Sequence, residues 1–220
     1  MKSKVIITGA SGMVGEGVLH ECILHHDIDE ILVIGRKSSA INHPKVKEII
    51  HSNFFDLSPI AHLLKGYDAC FFCLGVSSVG MKEPDYYKLT YTLTLHVASI
   101  LCNENPNMTF SYISGVHSDS SEKGTSMWAR VKGKTENDLM KLPFRKVYNF
   151  RPGYLHPTKG LKNTQSYYQY IAWMFPLLLK IAPKYACTLK QLGLAMINAH
   201  RNNYPSAKLE VKDIVRIAQG

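Results

Sequence analysis

The sequence predicts an α/β protein built on a Rossmann-type, doubly wound parallel sheet, and three observations support this prediction. Short apolar runs rich in β-branched and aromatic residues alternate with helical stretches over the first 150 residues, which is typical of βαβ units. The first run, residues 5–7, leads directly into a glycine-rich turn and a helix. The second run ends in two basic residues, Arg36 and Lys37. In a doubly wound sheet, both places lie at the edge where ligands bind.

Length and composition favour one domain. The chain has 220 residues, of which 45% are hydrophobic and 20% are charged, so it is long enough for one sizeable core but short for two. We expect a single domain over 1–220, with a nucleotide-binding core at 1–153 and a small, mainly helical lid at 154–220. The lid is expected because strand and helix stop alternating after residue 153, while Tyr and Pro become frequent.

The formal charge of +9 supports a binding module for nucleic acid or an acidic membrane surface only as the least favoured alternative. Lys and Arg are spread along the chain without a run of five, so a basic surface that attracts a phosphate-bearing cofactor explains the charge better. The five cysteines are odd in number and scattered, which indicates reduced thiols and a cytoplasmic location. We expect no membrane span, because the longest apolar stretch, 171–179, contains a proline and ends at Lys180.

The glycine-rich turn predicts a dinucleotide site. Gly9, Gly12 and Gly15 follow a strand and open an amphipathic helix, which is the context that a dinucleotide-binding motif requires. The first glycine permits a tight turn, the second lets a diphosphate approach the backbone, and the third lets the helix pack close to the strand. The helix begins near Met13, so its free N–H groups and positive dipole end face the phosphates.

The end of the second strand predicts NADP rather than NAD. At this position an acidic residue would accept the ribose 2′-hydroxyl of NAD, whereas an arginine accommodates the 2′-phosphate of NADP. Asp29 and Glu30 lie at the other end of the strand, and Arg36 and Lys37 follow it. Charge-assisted hydrogen bonds to phosphate suit both basic residues. The alternative is that they are solvated loop charges.

Two further strand ends complete the predicted cofactor edge. A third strand at 46–50 leads to Asp56, which either contacts the adenine amino group or caps the helix that starts near Ser58. A fourth strand ends at Leu74 and Gly75, which would face the cofactor. The Cys70-x-x-Cys73 spacing within that strand places the two thiols on opposite faces, so we interpret them as buried structural cysteines and predict no metal site.

The rest of the chain continues the alternation and then changes. A helix is predicted at 85–102, a fifth strand at 108–115, a helix at 128–140 and a sixth strand at 144–150, followed by Arg151, Pro152 and Gly153. In the tail, helices are predicted at 165–181, 189–200 and 211–217, the last with Asp213 near its start.

These motifs together resemble the short-chain dehydrogenase/reductase superfamily. The glycine spacing is similar to that of its atypical or extended branch of epimerase-like NAD(P)-binding proteins, which includes NmrA-like and Tat-interactive-protein-like members. The resemblance covers residues 1 to about 153. It implies NADP(H), or less readily NAD(H), as the cofactor and a small carbonyl, hydroxyl or sugar-like compound as the substrate. The cofactor-contacting residues that we expect are Gly9, Ser11, Gly12, Met13, Val14, Gly15, Arg36, Lys37, Asp56, Leu57, Leu74, Gly75, Lys132, Pro152 and Gly153.

The catalytic set that the resemblance implies is incomplete. In the superfamily a serine orients the substrate carbonyl, a tyrosine transfers the proton, and a lysine four residues after the tyrosine lowers its pKa and holds the nicotinamide ribose. Ser114 and Lys132 match this pattern, but Trp128 occupies the tyrosine position. An indole N–H donates a hydrogen bond and is no general acid or base in this pH range.

Another group would then have to supply the proton. His117 has the most suitable pKa, and Tyr154, His156, Tyr86 or Tyr87 could also face the pocket. Two functions stay open: an NADP-dependent oxidoreductase or epimerase-like enzyme with a rearranged proton donor, and a regulator that senses NADPH without turning it over. The apolar residues 173–179 fit either the domain interior or a homodimer interface.

Overall fold

The structure is a computed structural model that describes residues 2–163, 175 and 181–220. Strands and helices alternate along these residues. The strands are β1 (Ser3–Thr8), β2 (Ile28–Gly35), β3 (Val46–Ile50), β4 (Ala69–Phe72), β5 (Thr109–Ile113), β6 (Lys146–Arg151), β7 (Tyr154–His156), β8 (Ala186–Thr188) and β9 (Lys208–Glu210). The α-helices are α1 (Met13–Leu24), α2 (Glu83–Tyr87), α3 (Leu93–Glu104), α4 (Met127–Leu139), α5 (Leu189–Asn202) and α6 (Val211–Ile217), and a 3₁₀-helix covers Ser58–Leu64.

The described residues form a seven-stranded parallel sheet in the order β3-β2-β1-β4-β5-β6-β9. The chain runs outward from β1 to β3 and then crosses over to β4, so the direction of winding reverses between β1 and β4. Open α/β sheets bind ligands outside the carboxyl ends of the strands at this kind of reversal. The predicted Rossmann-type fold is confirmed.

Each face of the sheet is covered by its own apolar core. Val5, Ile7 and Phe71 point to the face covered by α1, α5 and α6. Ile6 and Phe72 point to the face covered by α3 and the 3₁₀-helix. Successive residues of a strand face opposite sides, so the uninterrupted apolar run of β1 follows from burial on both faces.

The two cysteines of the fourth strand region lie on opposite faces, as predicted. Cys70 belongs to the second core, and Cys73 packs against the first. Burial raises the pKa of Cys70 well above its usual value and raises the pKa of Cys73 to about 12. Both thiols are therefore held in the protonated form, which is unreactive.

The helix predicted at 85–102 is longer and is interrupted. α2 continues into a π-helical turn, Lys88–Thr92, which leads into α3. The hydroxyl of Thr94, in the first turn of α3, donates to the carbonyl of Thr90 in the π-helical turn (2.5 Å). The π-helical turn packs against α4, and such turns are frequent at functional sites.

The C-terminal part of the chain is mainly helical, as expected, and residues 186–217 also pack into the core beside the sheet. α5 packs on α1, where Leu189 fills the space that a side chain at Gly17 would occupy, and β9 adds the seventh strand beside β6. Only one of the three residues of β9, Leu209, is buried, and a strand this short has no recognisable alternation. The helices predicted at 189–200 and 211–217 are confirmed. The helix predicted at 165–181 lies, apart from residues 175 and 181, outside the described residues.

Within the described parts of the chain, no helix combines the length and the apolar composition needed to cross a bilayer.

Candidate functional site

The glycine-rich turn is held by two close backbone approaches. Gly9 has a left-handed φ of +74°, and a Cβ placed on it would lie 2.7 Å from the carbonyl carbon of Cys73. A Cβ on Gly15 would lie 2.1 Å from the Gly9 oxygen. Gly12 differs, because its added Cβ would meet the Gly9 oxygen at an ordinary 3.5 Å. Gly9 and Gly15 are thus required by the fold, whereas Gly12 is exposed and open to a ligand.

The first turn of α1 presents backbone N–H groups at this place. The helix begins at Met13 after Gly12, and no side chain caps it in the described structure. Ser11 is exposed, and Met13 and Val14 are half-buried. Uncapped N–H groups together with the positive end of the helix dipole make a binding site for phosphate.

Glu16, a residue that the sequence analysis did not single out, lies one turn into α1. Its side chain is buried, and its two carboxylate oxygens accept hydrogen bonds from the backbone N–H groups of Lys162 and Asn163 (2.8 Å each). The loop after β7 is thereby held beside the glycine-rich turn. A glutamate in the first turn of α1, between Gly15 and Gly17, was the available sequence signal.

A cavity of about 190 Å³ lies beside the ends of β2, β3 and β4. Arg36, Leu74 and Gly75, three of the predicted cofactor contacts, line it, and their contact with a cofactor stays a prediction. The sequence analysis missed the remaining lining residues, which are Ser52, Asn53, Phe54, Phe55, Val76, Leu89 and Leu93. Lys37 is exposed next to Arg36 but does not line the cavity, and Leu57 is fully buried in the second core.

Asp56 is engaged by its own turn. Its carboxylate accepts hydrogen bonds from the Ser58 backbone N–H (3.0 Å) and hydroxyl (2.5 Å) at the start of the 3₁₀-helix. These bonds lower the pKa of Asp56 from its usual value. Of the two roles that the sequence left open, this geometry favours the helix start, and a contact to adenine stays a prediction.

The carboxyl end of β5 brings together three of the predicted catalytic positions. The Ser114 side chain is buried, and its hydroxyl is 2.8 Å from the Ser118 hydroxyl. The Lys132 ammonium donates to the carbonyl of Ile113, the residue before Ser114 (3.0 Å). Trp128 lies beside Gly115, the residue after Ser114, because a Cβ placed on Gly115 would lie 3.5 Å from the indole ring.

Lys132 has an unusual environment for an ammonium group. It lies 5.1 Å from the centre of the Tyr112 ring, and its Nζ is 3.5 Å from the Tyr112 hydroxyl. Burial lowers the pKa of Lys132 to about 8, although the carboxylate of Glu136 acts in the opposite direction. The side chain therefore holds its proton less tightly than an exposed lysine does.

The turn at Pro152 and Gly153 connects this cluster to the tail. The Val116 N–H donates to the Pro152 carbonyl (3.0 Å). A Cβ on Gly153 would lie 2.2 Å from the Tyr185 carbonyl oxygen, so only glycine allows the segment before β8 to approach. The segment that contains Tyr185 is thus held next to the end of β5.

A second cavity, of about 350 Å³, adjoins this turn. We call it the basic cavity, and its lining residues are Val116, His117, Arg151, Lys184, Tyr185, Glu210 and Lys212. His117 is exposed, has a left-handed φ of +69° and lies 5.8 Å from the Tyr185 ring, measured between ring centres. Among the candidate proton donors, His117 is the one that lines this cavity.

Three of the remaining candidate proton donors are engaged elsewhere. Tyr86 is 1% exposed within the core, and burial raises its pKa, so it is excluded as a proton donor to a substrate. Tyr87 packs against Tyr91, with 4.6 Å between the ring centres. His156 stacks on Phe175 at 4.1 Å, and burial lowers the pKa of this histidine.

One cluster in the described parts of the chain has the ligand types of a metal site. Ligand atoms of His25, His26 and Asp27 lie within 4.8 Å of one another. The Arg201 guanidinium pairs with the same Asp27 carboxylate at 2.6 Å. A positive charge at this distance already neutralises the carboxylate and opposes a cation.

The comparisons with known proteins agree with this geometry. A family model described as the NAD dependent epimerase/dehydratase family matches residues 5–127. The chain is 26% identical over 153 residues to Protein HTATIP2 of Rattus norvegicus, covering 69% of this chain and 62% of that protein. It is 25% identical over 157 residues to mitochondrial Protein FMP52 of Meyerozyma guilliermondii, covering 69% of this chain and 65% of that protein. The chain thus spans less than two thirds of the length of both relatives.

Solved structures share the fold across nearly the whole chain. ADP-L-glycero-D-manno-heptose-6-epimerase of Helicobacter pylori has a TM-score of 0.69 at 13% identity, covering 99% of this chain and 81% of that chain. The enzyme WbmF of Bordetella bronchiseptica in complex with NAD+ has a TM-score of 0.64 at 15% identity, covering 99% of this chain and 77% of that chain.

Proposed function

Because this chain belongs to the NAD dependent epimerase/dehydratase family, we propose that it is an NADP(H)-dependent oxidoreductase or epimerase-like enzyme with a rearranged proton donor. The substrate class is a small carbonyl, hydroxyl or sugar-like compound. The observation that carries the proposal is the glycine-rich turn, where an exposed Gly12 and an uncapped helix start leave backbone N–H groups open to a diphosphate.

Arg36 supports NADP over NAD. It is exposed at the end of β2 and lines the cavity that would receive the adenosine. A guanidinium forms bidentate, charge-assisted hydrogen bonds with phosphate. Lys37 does not line the cavity, but it adds a second positive charge next to Arg36, which would strengthen the attraction to a 2′-phosphate.

NADP(H), when bound, supplies or accepts a hydride at its nicotinamide ring. Ser114 would hold the substrate oxygen by a hydrogen bond, exchanging its present partner Ser118 for the substrate. Lys132, at the carboxyl end of β5, would donate to the nicotinamide ribose. Trp128 lies next to these groups and contributes an N–H donor and an apolar surface. His117 is the proton donor that we propose, because it lines the adjoining basic cavity and its imidazole is exposed there.

The test is NADPH oxidation across a panel of carbonyl compounds, with wild type and Lys132→Ala. Lys190→Ala is the matched control, because Lys190 is exposed on α5, a helix that packs on the opposite face of the sheet from α4. We expect turnover of at least one compound by wild type and the control, and loss of turnover in Lys132→Ala. An absence of hydride transfer above background over the whole panel would contradict the enzyme proposal.

Trp128 also supports a second candidate function, a regulator that binds NADPH without consuming it. This candidate predicts that NADPH raises the melting temperature of the protein while its absorbance at 340 nm stays constant with every carbonyl compound. Turnover of any carbonyl compound by the wild-type protein would exclude this candidate. The variant Trp128→Tyr places a tyrosine four residues before Lys132. If reductase activity appears only in this variant, the wild-type protein lacks the phenol that turnover needs, and the regulator is favoured over the enzyme.

The cytoplasmic location and the homodimer stay predictions. One of the relatives is named a mitochondrial protein, so fractionation of cells that express the full chain is the direct test of location. Sedimentation of the purified protein tests the dimer.

A further inference from the structure

The basic cavity lies where three strands of the sheet end. Val116 and His117 follow β5, Arg151 is the last residue of β6, and Glu210 is the last residue of β9. Lys212 lies in the first turn of α6. The cavity is therefore on the ligand-binding edge of the sheet, next to Ser114 but farther from the glycine-rich turn along the strand order.

The positive charges of the cavity are only partly compensated. The Arg151 guanidinium is paired with two carboxylates, Glu136 and Glu210. In the parts of the chain that the structure describes, neither Lys184 nor Lys212 has a carboxylate within 4.0 Å. Two ammonium groups with no acidic partner thus line a concave surface of about 350 Å³, which is within the size range of small-molecule sites.

Local structure holds Lys184 and His117 of this cavity in place. The Lys184 ammonium lies 5.0 Å from the centre of the Tyr185 ring, and the His117 ring approaches the same tyrosine. The Tyr185 backbone packs against Gly153. His117 adopts a left-handed backbone conformation, which is uncommon for a residue other than glycine and occurs at ligand sites.

We propose that the basic cavity binds an anionic group of the substrate, a phosphate or a carboxylate, through Lys184 and Lys212. The carbonyl or hydroxyl end of the same molecule then reaches Ser114. This inference rests on the proposed function for the identity of the ligand as the substrate. Ammonium groups act as point charges that bind either anion, so the experiment has one arm for phosphate and one for a carboxylate.

The experiment uses the full chain saturated with NADPH, so that anions do not compete for the nucleotide phosphate positions. Inorganic phosphate and, separately, malonate are titrated while the imidazole proton resonances of His117 are followed by NMR. The variant Lys184→Gln/Lys212→Gln is compared with a control of equal charge change, Lys159→Gln/Lys190→Gln, whose lysines are both exposed and do not line the cavity.

We expect at least one of the two anions to bind wild type and the control with dissociation constants within about twofold of each other. The Lys184/Lys212 variant should bind it about tenfold or more weakly, since both charge-assisted hydrogen bonds to the anion are lost. Binding of phosphate alone or of malonate alone supports the proposal and selects the substrate class.

Two results would overturn the inference. One is that neither anion shifts the His117 resonances up to about 50 mM, a concentration at which millimolar sites are filled. The other is an equal loss of binding in both double variants, which would mean that net charge and not the cavity attracts the anion. Failure of the proposed function is seen separately, as an absence of NADPH binding in the first step of the experiment.

Discussion

Gly12 and Gly15 allow the strongest test of the glycine-rich turn, because the structure assigns them different reasons for being glycine. In Gly15→Ala the new Cβ would lie 2.1 Å from the Gly9 oxygen, a backbone atom that cannot rotate away. Strand and helix must therefore separate by more than 1 Å to reach an ordinary contact. Overpacking of this kind costs about 1–3 kcal/mol, and a clash at 2.1 Å with a backbone atom belongs at the upper end of that range. The better helix propensity of alanine offsets roughly 1 kcal/mol. For a chain of this size, the remaining loss of about 2 kcal/mol lowers the melting temperature by roughly 4–8 °C.

Gly12→Ala should behave in the opposite way. Its φ of −104° is open to any residue, and the new Cβ would meet only an ordinary 3.5 Å contact, so we expect the free energy of unfolding to change by less than about 0.5 kcal/mol. The added methyl group would stand where a diphosphate approaches the helix start, so the affinity for NADPH should fall about tenfold or more.

The assay is a thermal melt with and without NADPH, together with calorimetric titration of the cofactor. We expect Gly15→Ala to have a lower melting temperature without cofactor, and Gly12→Ala to have the wild-type melting temperature but a reduced shift on adding NADPH. If Gly12→Ala binds NADPH as wild type does, the diphosphate does not lie at the start of α1. An unchanged melting temperature of Gly15→Ala would refute the steric argument.

Three further predictions concern cofactor choice and pH. Arg36→Ser should weaken NADPH binding about 10- to 100-fold while changing NADH binding less than about threefold, by calorimetry; equal losses for both would contradict a 2′-phosphate contact. Because burial lowers the pKa of Lys132 to about 8, NADPH affinity should fall severalfold between pH 7 and pH 9 as its ammonium loses the proton, and Lys132→Met should remove this dependence. Burial, and the nearby Arg145, lower the pKa of His200 to about 4. As the pH falls, His200 is therefore protonated in the unfolded chain before it is protonated in the folded protein. The contribution of neutral His200 to the free energy of unfolding is then fully present above pH 6.5 and falls by about 2–3 kcal/mol between pH 6.5 and pH 4.5. In His200→Gln, the urea concentration at the unfolding midpoint should depend less on pH over that range.

Several parts of the fold were predictable because their signals are local. The apolar runs of β1, β2 and β4 reflect burial on both faces of a parallel sheet, and the start of α1 at Met13 follows from the glycines before it. The ends of those strands could also be placed at one edge, since parallel strands share their carboxyl edge. Arg36, Leu74 and Gly75 line one cavity at this edge.

Other parts depended on contacts between distant segments. One local contact also needed the structure, because the partner of Asp56 is its neighbour Ser58, whereas the sequence alone left this role equal to a cofactor contact. β9 has three residues and is a strand only because it pairs with β6. The basic cavity joins residues from 116 to 212, and no local pattern indicates that Lys184 and Lys212 line the same space.

The sequence by itself determined the fold class, the position of the glycine-rich turn and the presence of Trp128 four residues before Lys132, because each depends on residue types at short spacing. Only the tertiary structure decided that residues 186–217 complete the core, that Lys132 is buried enough to lower its pKa, and that two lysines without a carboxylate partner among the described residues share a cavity with His117. These features arise when segments far apart in the chain pack together, and both desolvation and the pairing of charges depend on that packing.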